Sequence, residues 1–208
     1  MCARGSLVAA DGRSIPLDEL AQRAGAQRCS ACAEHVPTGL PPEAMDRLRS
    51  GKLPILRGNL RKDVAACAYG AHFVEVRIHR LTREIRVPRM VGAFASGTIV
   101  NPLTAHSQYM GGMIWGIGSA LLEQTELDRL RARYLNVNLS EYLVAANADV
   151  GEVEVIMLPE EDRQVNELGI KGIGEIGIVG VNAAIANAVY HATGRRVREL
   201  PIRMEQLL

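Results

Sequence analysis

The stretch Phe73-Val74-Glu75-Val76-Arg77-Ile78-His79 decides the fold. Val74, Val76 and Ile78 alternate with Glu75, Arg77 and His79, the two-residue period of a strand with one buried face. A second run from Glu84 to Phe94 carries Ile85, Val87 and Val91 at apolar positions. Only the short Arg80–Arg83 connection separates the two, so the pattern predicts an antiparallel hairpin. Pro88 has no N–H to give a ladder and predicts an edge position or an irregularity.

Working outward, Pro102 to Gln124 predicts a helix, because Met110, Met113, Ile114, Ile117, Leu121 and Leu122 recur at helical spacing. Gly111, Gly112, Gly116 and Gly118 lie inside it. Each costs roughly 0.5–1 kcal/mol against alanine in a helix, so close approach of another backbone or of a ligand is expected there. Glu152 to Leu158 alternates again and predicts a strand. Gly177 to Ala192 predicts a small-residue helix stopped by Gly194. Val197 to Ile202 is expected to form a last short strand.

The N-terminal region is harder to read. Gly5 to Arg13 suggests a short strand running into an Asp11-Gly12 turn, and Ile15 to Ala26 a short helix. Seven prolines and glycines (37, 39, 41, 42, 51, 54 and 58) break up the stretch from 33 to 68, in which Pro42 to Arg49 is a short helix candidate. The chain is therefore divided into a segment of residues 1–68, with a strand and helix followed by an excursion, and a domain of residues 69–208.

Composition removes several function classes. Twenty-four Lys and Arg against 23 Asp and Glu give a formal net charge of +1, without the basic excess of a nucleic-acid partner. Aromatic residues are 4%, too few for a base-stacking surface. No apolar run approaches the roughly 20 residues of a membrane span, and the first residues lack a secretory pattern, so no membrane is expected and the cytoplasm is the expected compartment.

Cys29-Ser30-Ala31-Cys32 has the C-x-x-C spacing, with His35 three residues on. A structural zinc site needs four ligands and a thioredoxin-like pair needs a βαβ setting. Neither follows here, so the thiols are read as incidental and no metal ligands are assigned. His72, His79, His106 and His191 lack ligand spacing and are read as surface or core histidines.

Gly172-Ile173-Gly174-Glu175-Ile176-Gly177 fits G-x-G-x-x-G. A dinucleotide fingerprint needs a buried strand running into its first glycine, whereas Asp162 to Gly169 is polar and turn-like. A carboxylate inside the turn also repels a pyrophosphate. The glycines let the backbone approach a ligand, and Glu175 could then serve as a general base. A carboxylate at that place also complements a helix dipole, which is the commoner role.

Three segments in order narrow the choice. Gly92 to Pro102 runs into Ser107-Gln108-Tyr109-Met110-Gly111-Gly112-Met113-Ile114-Trp115-Gly116-Ile117-Gly118. Leu135-Asn136 and Glu141-Tyr142 follow, and then Leu168-Gly169-Ile170-Lys171-Gly172-Ile173-Gly174-Glu175-Ile176-Gly177. The series resembles the C-terminal part of the molybdenum-binding subunit of the xanthine dehydrogenase/aldehyde oxidoreductase family, bacterial aldehyde oxidoreductase type. The resemblance runs from about Tyr69 to the C-terminus and extends to residues 5–27, whereas the cysteines and prolines of 28–68 look unlike the family.

That resemblance, with the strands and helices above, implies an α+β fold: a mixed sheet with packed helices, the cofactor-binding C-terminal portion of a larger subunit. It implies that Glu175 is the base that deprotonates a molybdenum-bound hydroxyl during oxidation of an aldehyde or N-heterocycle. Gln108 matches a glutamine that hydrogen-bonds the pterin. Gly111 and Gly112 are expected to admit the cofactor beside the helix, and Lys171, Gly172 and Gly174 to shape the turn carrying Glu175. The cofactor implied is molybdopterin with molybdenum, as the cytosine dinucleotide. Iron–sulfur and FAD groups would reside on partner subunits, and the remainder of the molybdenum subunit is itself an expected partner. Export to the periplasm on another subunit's signal is the alternative compartment. A full subunit of this kind is several times larger than this chain, so a non-catalytic remnant that folds or binds partner subunits is the alternative function. Burial against missing parts would leave the Met110–Leu122 helix, with Trp115, as the exposed apolar face.

Overall fold

A computed structural model describes residues 2–3, 5–9, 11–23, 25, 32, 41–52 and 65–208. The chain divides into two compact units, Met1–Arg61 and Lys62–Leu208.

In the first unit, strands β1 (Cys2–Ala3), β2 (Ser6–Val8) and β3 (Ser14–Pro16) form an antiparallel sheet in that order. The Asp11-Gly12 turn joins β2 to β3, and the Asp11 carboxylate accepts the Arg13 backbone N–H at 3.1 Å. Helix α1 (Leu17–Arg23) starts two residues later than the sequence predicts, because Ile15 pairs with Leu7 in the sheet. Helix α2 (Pro42–Arg49) begins with proline in its first turn, where a missing N–H costs nothing. Cys29 and His35 lie outside the described residues, and Cys32 is an exposed free thiol.

The second unit holds the core. Strands β4 (Tyr69–Ile78) and β5 (Ile85–Ala95) form the predicted antiparallel hairpin. The long helix α3 (Pro102–Leu121) follows, then a small hairpin of β6 (Leu127–Asp128) and β7 (Arg133–Tyr134), then β8 (Glu152–Met157). β8 pairs parallel to β5, so the sheet is mixed, ordered β4-β5-β8. Two helices, α4 (Ile176–Val179) and α5 (Val181–Thr193), complete an α+β fold of sheet and packed helices.

Pro88 is an irregularity, as its chemistry demands, but it does not lie on an edge strand: β5 is central. Val87 and Pro88 together oppose the single residue Val76, between the pairs Glu75↔Arg89 and Arg77↔Arg86. This bulge shifts the alternation by one, so that Val87 and Met90, three apart, are both buried. The pairing with β8 begins only at Arg89, so no ladder bond is asked of the proline.

One face of the sheet packs against the helices. Met90 and Phe94 of β5, Tyr109, Met113 and Ile117 of α3, and Val181, Ile185 and Val189 of α5 are almost fully buried. The other face carries Glu75, Arg77, Arg89 and Glu154, with Arg89 and Glu154 paired at 3.2 Å. Asn101 caps α3 by accepting the N–H groups of Leu103 and Thr104, and Pro102 occupies its first turn. Gly194 ends α5 at φ +72°, donating to the Tyr190 carbonyl. The window Ile176–Thr193 has a mean hydropathy of 1.2, and Val181, Ile185 and Val189 of it enter this core while Val179 is exposed.

Two expectations need correction. The single helix predicted from Gly177 to Ala192 is two helices, α4 and α5, meeting at Gly180. The segment from Val197 to Ile202 forms no strand. Its Ile202 N–H donates instead to the Ala120 carbonyl near the end of α3, which has no later helical N–H to serve it. Of the helix expected to be exposed, Met113, Ile117 and Ala120 are buried, while Trp115 is 63% exposed.

Candidate functional site

The site forms where α3 crosses α4. Gly112 and Gly177 make this crossing possible. A Cβ on Gly112 would sit 2.9 Å from the Gly177 carbonyl carbon, and one on Gly177 would sit 2.7 Å from the Tyr109 carbonyl oxygen. Gly116 does the same a helical turn further along, where a Cβ would meet Val181 at 2.5 Å. At Gly112, expected to admit a cofactor, the Cβ position is taken by the backbone of α4. Gly111 differs: it is exposed, with nothing within 4 Å of its Cβ position. Gly172 and Gly174 are open in the same way.

Gln108 lies three residues before Gly111 and shares its face of α3. Its Nε2 donates to the Gly174 carbonyl at 2.7 Å, which leaves Oε1 to accept a bond from elsewhere. This bond ties α3 to the residue before Glu175. Glu175 is exposed and stands in the cap position of α4, yet its side chain makes no capping hydrogen bond. At the start of this one-turn helix the Ile178 N–H donates to the Glu175 carbonyl at 3.0 Å.

The structure brings Gln108, Gly111, Gly174 and Glu175 together on one open face. It takes the charged end of Lys171 away from that face. The Lys171 side chain is 5% exposed, and its Nζ lies 2.6 Å from Glu160 and 3.0 Å from Asp162. Glu160 uses its second oxygen to accept the Gly97 N–H at 2.6 Å. The hydrogen bond from Lys171 holds both carboxylates below their usual range, and the same contact with Glu160 raises the lysine. Lys171 therefore shapes the approach to the glycine turn by pinning it to the 160–162 loop and to the end of β5. Gly97 completes the junction: it has φ +70°, and a Cβ there would lie 2.1 Å from the Gly169 carbonyl oxygen.

Sequence reading missed Glu160 and Asp162. Their signal was an acidic run directly after a strand, facing a lysine in a glycine turn. It also left His72 as an unremarkable histidine. His72 shares the inward register of Val74, Val76 and Ile78, an unusual place for a polar side chain, and its Nε2 lies 2.9 Å from the Gly177 carbonyl oxygen. Burial lowers its pKa, opposed by that hydrogen bond.

Two features test whether the site suits a large polar group. The exposed glycines 111, 172 and 174 leave space at three Cβ positions, as close backbone approach requires. Nearby, Ser96, Thr98, Asn101, Thr104 and Lys171 line a cavity of about 250 Å³, and the buried Ser96 Oγ has no hydrogen-bond partner. Open glycines, a free amide oxygen and an orphaned hydroxyl suit a pterin-sized group rich in hydrogen-bonding atoms. Among the described residues no three His, Cys, Asp or Glu side chains converge as metal ligands.

A mixed sheet backed by two crossed helices, with a glycine turn presenting an uncapped carboxylate, defines a cofactor-cradling α+β domain. Comparison with known proteins makes this specific: the chain belongs to the molybdopterin cofactor-binding domain family, whose model matches residues 2–151. That match ends before Lys171, Gly172, Gly174 and Glu175. The chain is 44% identical over 151 residues to the aldehyde oxidoreductase molybdenum-binding subunit PaoC of Escherichia coli (strain K12), covering 73% of this chain and 21% of the relative. It is 34% identical over 140 residues to the xanthine dehydrogenase molybdenum-binding subunit of Escherichia coli O157:H7, covering 67% and 18%. Among solved structures it resembles the quinoline 2-oxidoreductase of Pseudomonas putida 86, with a TM-score of 0.62 and 29% identity over 67% of this chain and 18% of that one. The aldehyde oxidoreductase of Desulfovibrio desulfuricans ATCC 27774 gives a TM-score of 0.61 and 30% identity, covering 68% and 15%. The chain thus spans about a fifth of the length of these curated relatives.

Proposed function

We propose that this chain is the C-terminal portion of a molybdenum hydroxylase that oxidises aldehydes or N-heterocycles with water-derived oxygen, and that Glu175 is its general base. The observation that carries the reading is the state of Glu175: exposed, uncapped, and set beside glycines with open space beyond them. A capping role would show the Glu175 carboxylate accepting the first N–H groups of the helix, and its side chain makes no such bond.

When bound, molybdopterin with its molybdenum supplies a two-electron acceptor and an oxygen to be transferred. The open backbone at Gly111, Gly172 and Gly174 admits the group, and the Gln108 Oε1 accepts a hydrogen bond from it. Lys171, held by Glu160 and Asp162, fixes the turn. A Glu175 Oε takes the proton of the oxygen nucleophile as that oxygen attacks the carbonyl or ring carbon. We infer the cytosine dinucleotide form of the cofactor from the family resemblance alone. The similarity to separate molybdenum-binding subunits supports partner subunits in general, and we propose that these are iron–sulfur and FAD subunits with the rest of the molybdenum subunit.

The test is Glu175→Gln in the assembled enzyme. The amide keeps the shape and cannot accept the proton. Molybdenum content and melting temperature stay near wild type, and turnover falls at least ~10²-fold. Reduction of the molybdenum by substrate at the wild-type rate would refute the base assignment. An assembled wild-type protein without stoichiometric molybdenum would favour the non-catalytic remnant.

A further inference from the structure

We infer that His72 is a positioning residue for Glu175: from β4 it holds the one-turn helix that carries the carboxylate, while Gln108 holds the residue before it from α3. The inference rests on the proposed role of Glu175 as base.

His72 lies on β4, in register with Gly92. Its ring meets Phe94 edge-on, with centroids 5.3 Å apart and planes at 72°. Phe94 in turn stacks on Tyr109 of α3, with centroids 4.4 Å apart and planes at 4°. Two aromatic contacts in series therefore fix where the imidazole points. It points at α4, where Nε2–H donates to the Gly177 carbonyl at 2.9 Å. The junction is built around the ring, since a Cβ at Gly180 would lie 2.5 Å from Nδ1. Residues 72 and 177 are 105 apart in sequence, so this is a tertiary strut with no local cause.

α4 needs such a strut. A single turn fixes several dihedrals for few internal hydrogen bonds and is marginal by itself. Besides its continuity with α5 and the packing of Ile176 on the core, it is held by Gln108 on the Gly174 carbonyl, the backbone of Tyr109 against Gly177, and His72 on the Gly177 carbonyl. The two polar contacts bracket Glu175 at one residue before and two after. Loss of either frees one end of the segment that aims the carboxylate. A small misplacement of a reacting group costs rate far more than it costs stability.

The experiment compares His72→Phe, His72→Gln and Gly180→Ala with Glu175→Gln in the assembled complex. The substrate is benzaldehyde, or quinoline where the wild-type complex prefers a heterocycle. His72→Phe keeps the packing on Phe94 and removes the donor. His72→Gln restores an N–H of similar reach. Gly180→Ala displaces the imidazole without touching it chemically, and serves also if His72→Phe fails to assemble. Three readouts are taken: molybdenum content, kcat and KM, and hydrogen exchange at the Ile178 amide, which reports the α4 turn. His72→Phe and Gly180→Ala should raise Ile178 exchange and lower kcat about 10- to 100-fold with KM little changed. His72→Gln should recover most of both. Unchanged Ile178 exchange in His72→Phe overturns the strut whatever the activity. Raised exchange with wild-type kcat, while Glu175→Gln is inactive, overturns the positioning role alone. An active Glu175→Gln overturns the base assignment and with it the positioning role, while the exchange data still decide the strut.

Discussion

The glycines of α3 offer a sharp contrast between two adjacent positions, Gly111→Ala and Gly112→Ala. Both replacements remove a helix-interior glycine, which by propensity alone stabilises by roughly 0.5–1 kcal/mol. At Gly111 nothing lies within 4 Å of the new methyl, so the gain should appear in full. At Gly112 the methyl would lie 2.9 Å from the Gly177 carbonyl carbon and 3.0 Å from its Cα and from the Ile178 nitrogen. These are backbone atoms, and Gly177 is itself wedged against Tyr109, so no side chain can swing aside. Overpacking of this kind costs about 1–3 kcal/mol, which leaves a net loss of roughly 0.5–2 kcal/mol. For a unit of this size each kcal/mol moves the melting temperature by about 2–4 °C, so the two variants should melt several degrees apart, on either side of wild type. Calorimetry of the purified protein measures this. In the assembled enzyme the order reverses for Gly111→Ala, which is more stable yet should retain less molybdenum, because its methyl fills space the cofactor needs. Equal melting shifts for the two variants, or unchanged molybdenum in Gly111→Ala, would refute the division of roles.

The Lys171 cluster should make stability depend on acid. Glu160 and Asp162 titrate below their usual range when folded, so their contribution is complete above that range and is lost as pH falls through the folded values; melting between about pH 7 and pH 3 should decline less steeply in Glu160→Gln than in wild type. Gln108→Ala leaves the Gly174 carbonyl without its donor and should lower both molybdenum content and turnover, measured by metal analysis and steady-state kinetics; unchanged values would remove Gln108 from the site. Trp115 and Leu103 are 63% and 84% exposed, so the chain produced without partners should self-associate, and Trp115→Gln should shift sedimentation toward monomer; a monodisperse wild-type monomer would count against this.

Much of the second unit was legible because its elements obey simple periods. Val74, Val76 and Ile78 placed β4, and the short connection to β5 dictated the antiparallel hairpin. What strand periodicity could not show is that β5 is central. Parallel pairing with β8 depends on a crossover through α3 of more than fifty residues, and no local pattern records which strand edge receives the return. Pro88 suggested an edge, yet a bulge and a late start to the β8 ladder accommodate it in the middle. Val197 to Ile202 failed as a strand for a related reason. Its apolar residues do enter or border the core, but Ile202 finds its backbone partner at a helix end.

Glycine in a helix announces close approach without saying what approaches. Gly111 and Gly112 look alike in sequence, but about 100° of helical rotation separates them, enough to turn one toward open space and the other into α4. The carboxylate of Glu175 could be singled out because glycines surround it. The residues that aim it could not, since His72, Glu160 and Asp162 act through contacts whose partners lie 9 to 105 residues away. A histidine in the inward register of a strand and an acidic run opposite a lysine are each unremarkable alone. They become informative only when the fold sets both against the same glycine turn. The turn has almost no structure of its own, so its geometry must be borrowed from β4, β5, α3 and the 160–162 loop. A carboxylate left uncapped on so dependent a segment makes sense when its position matters more than its contribution to folding.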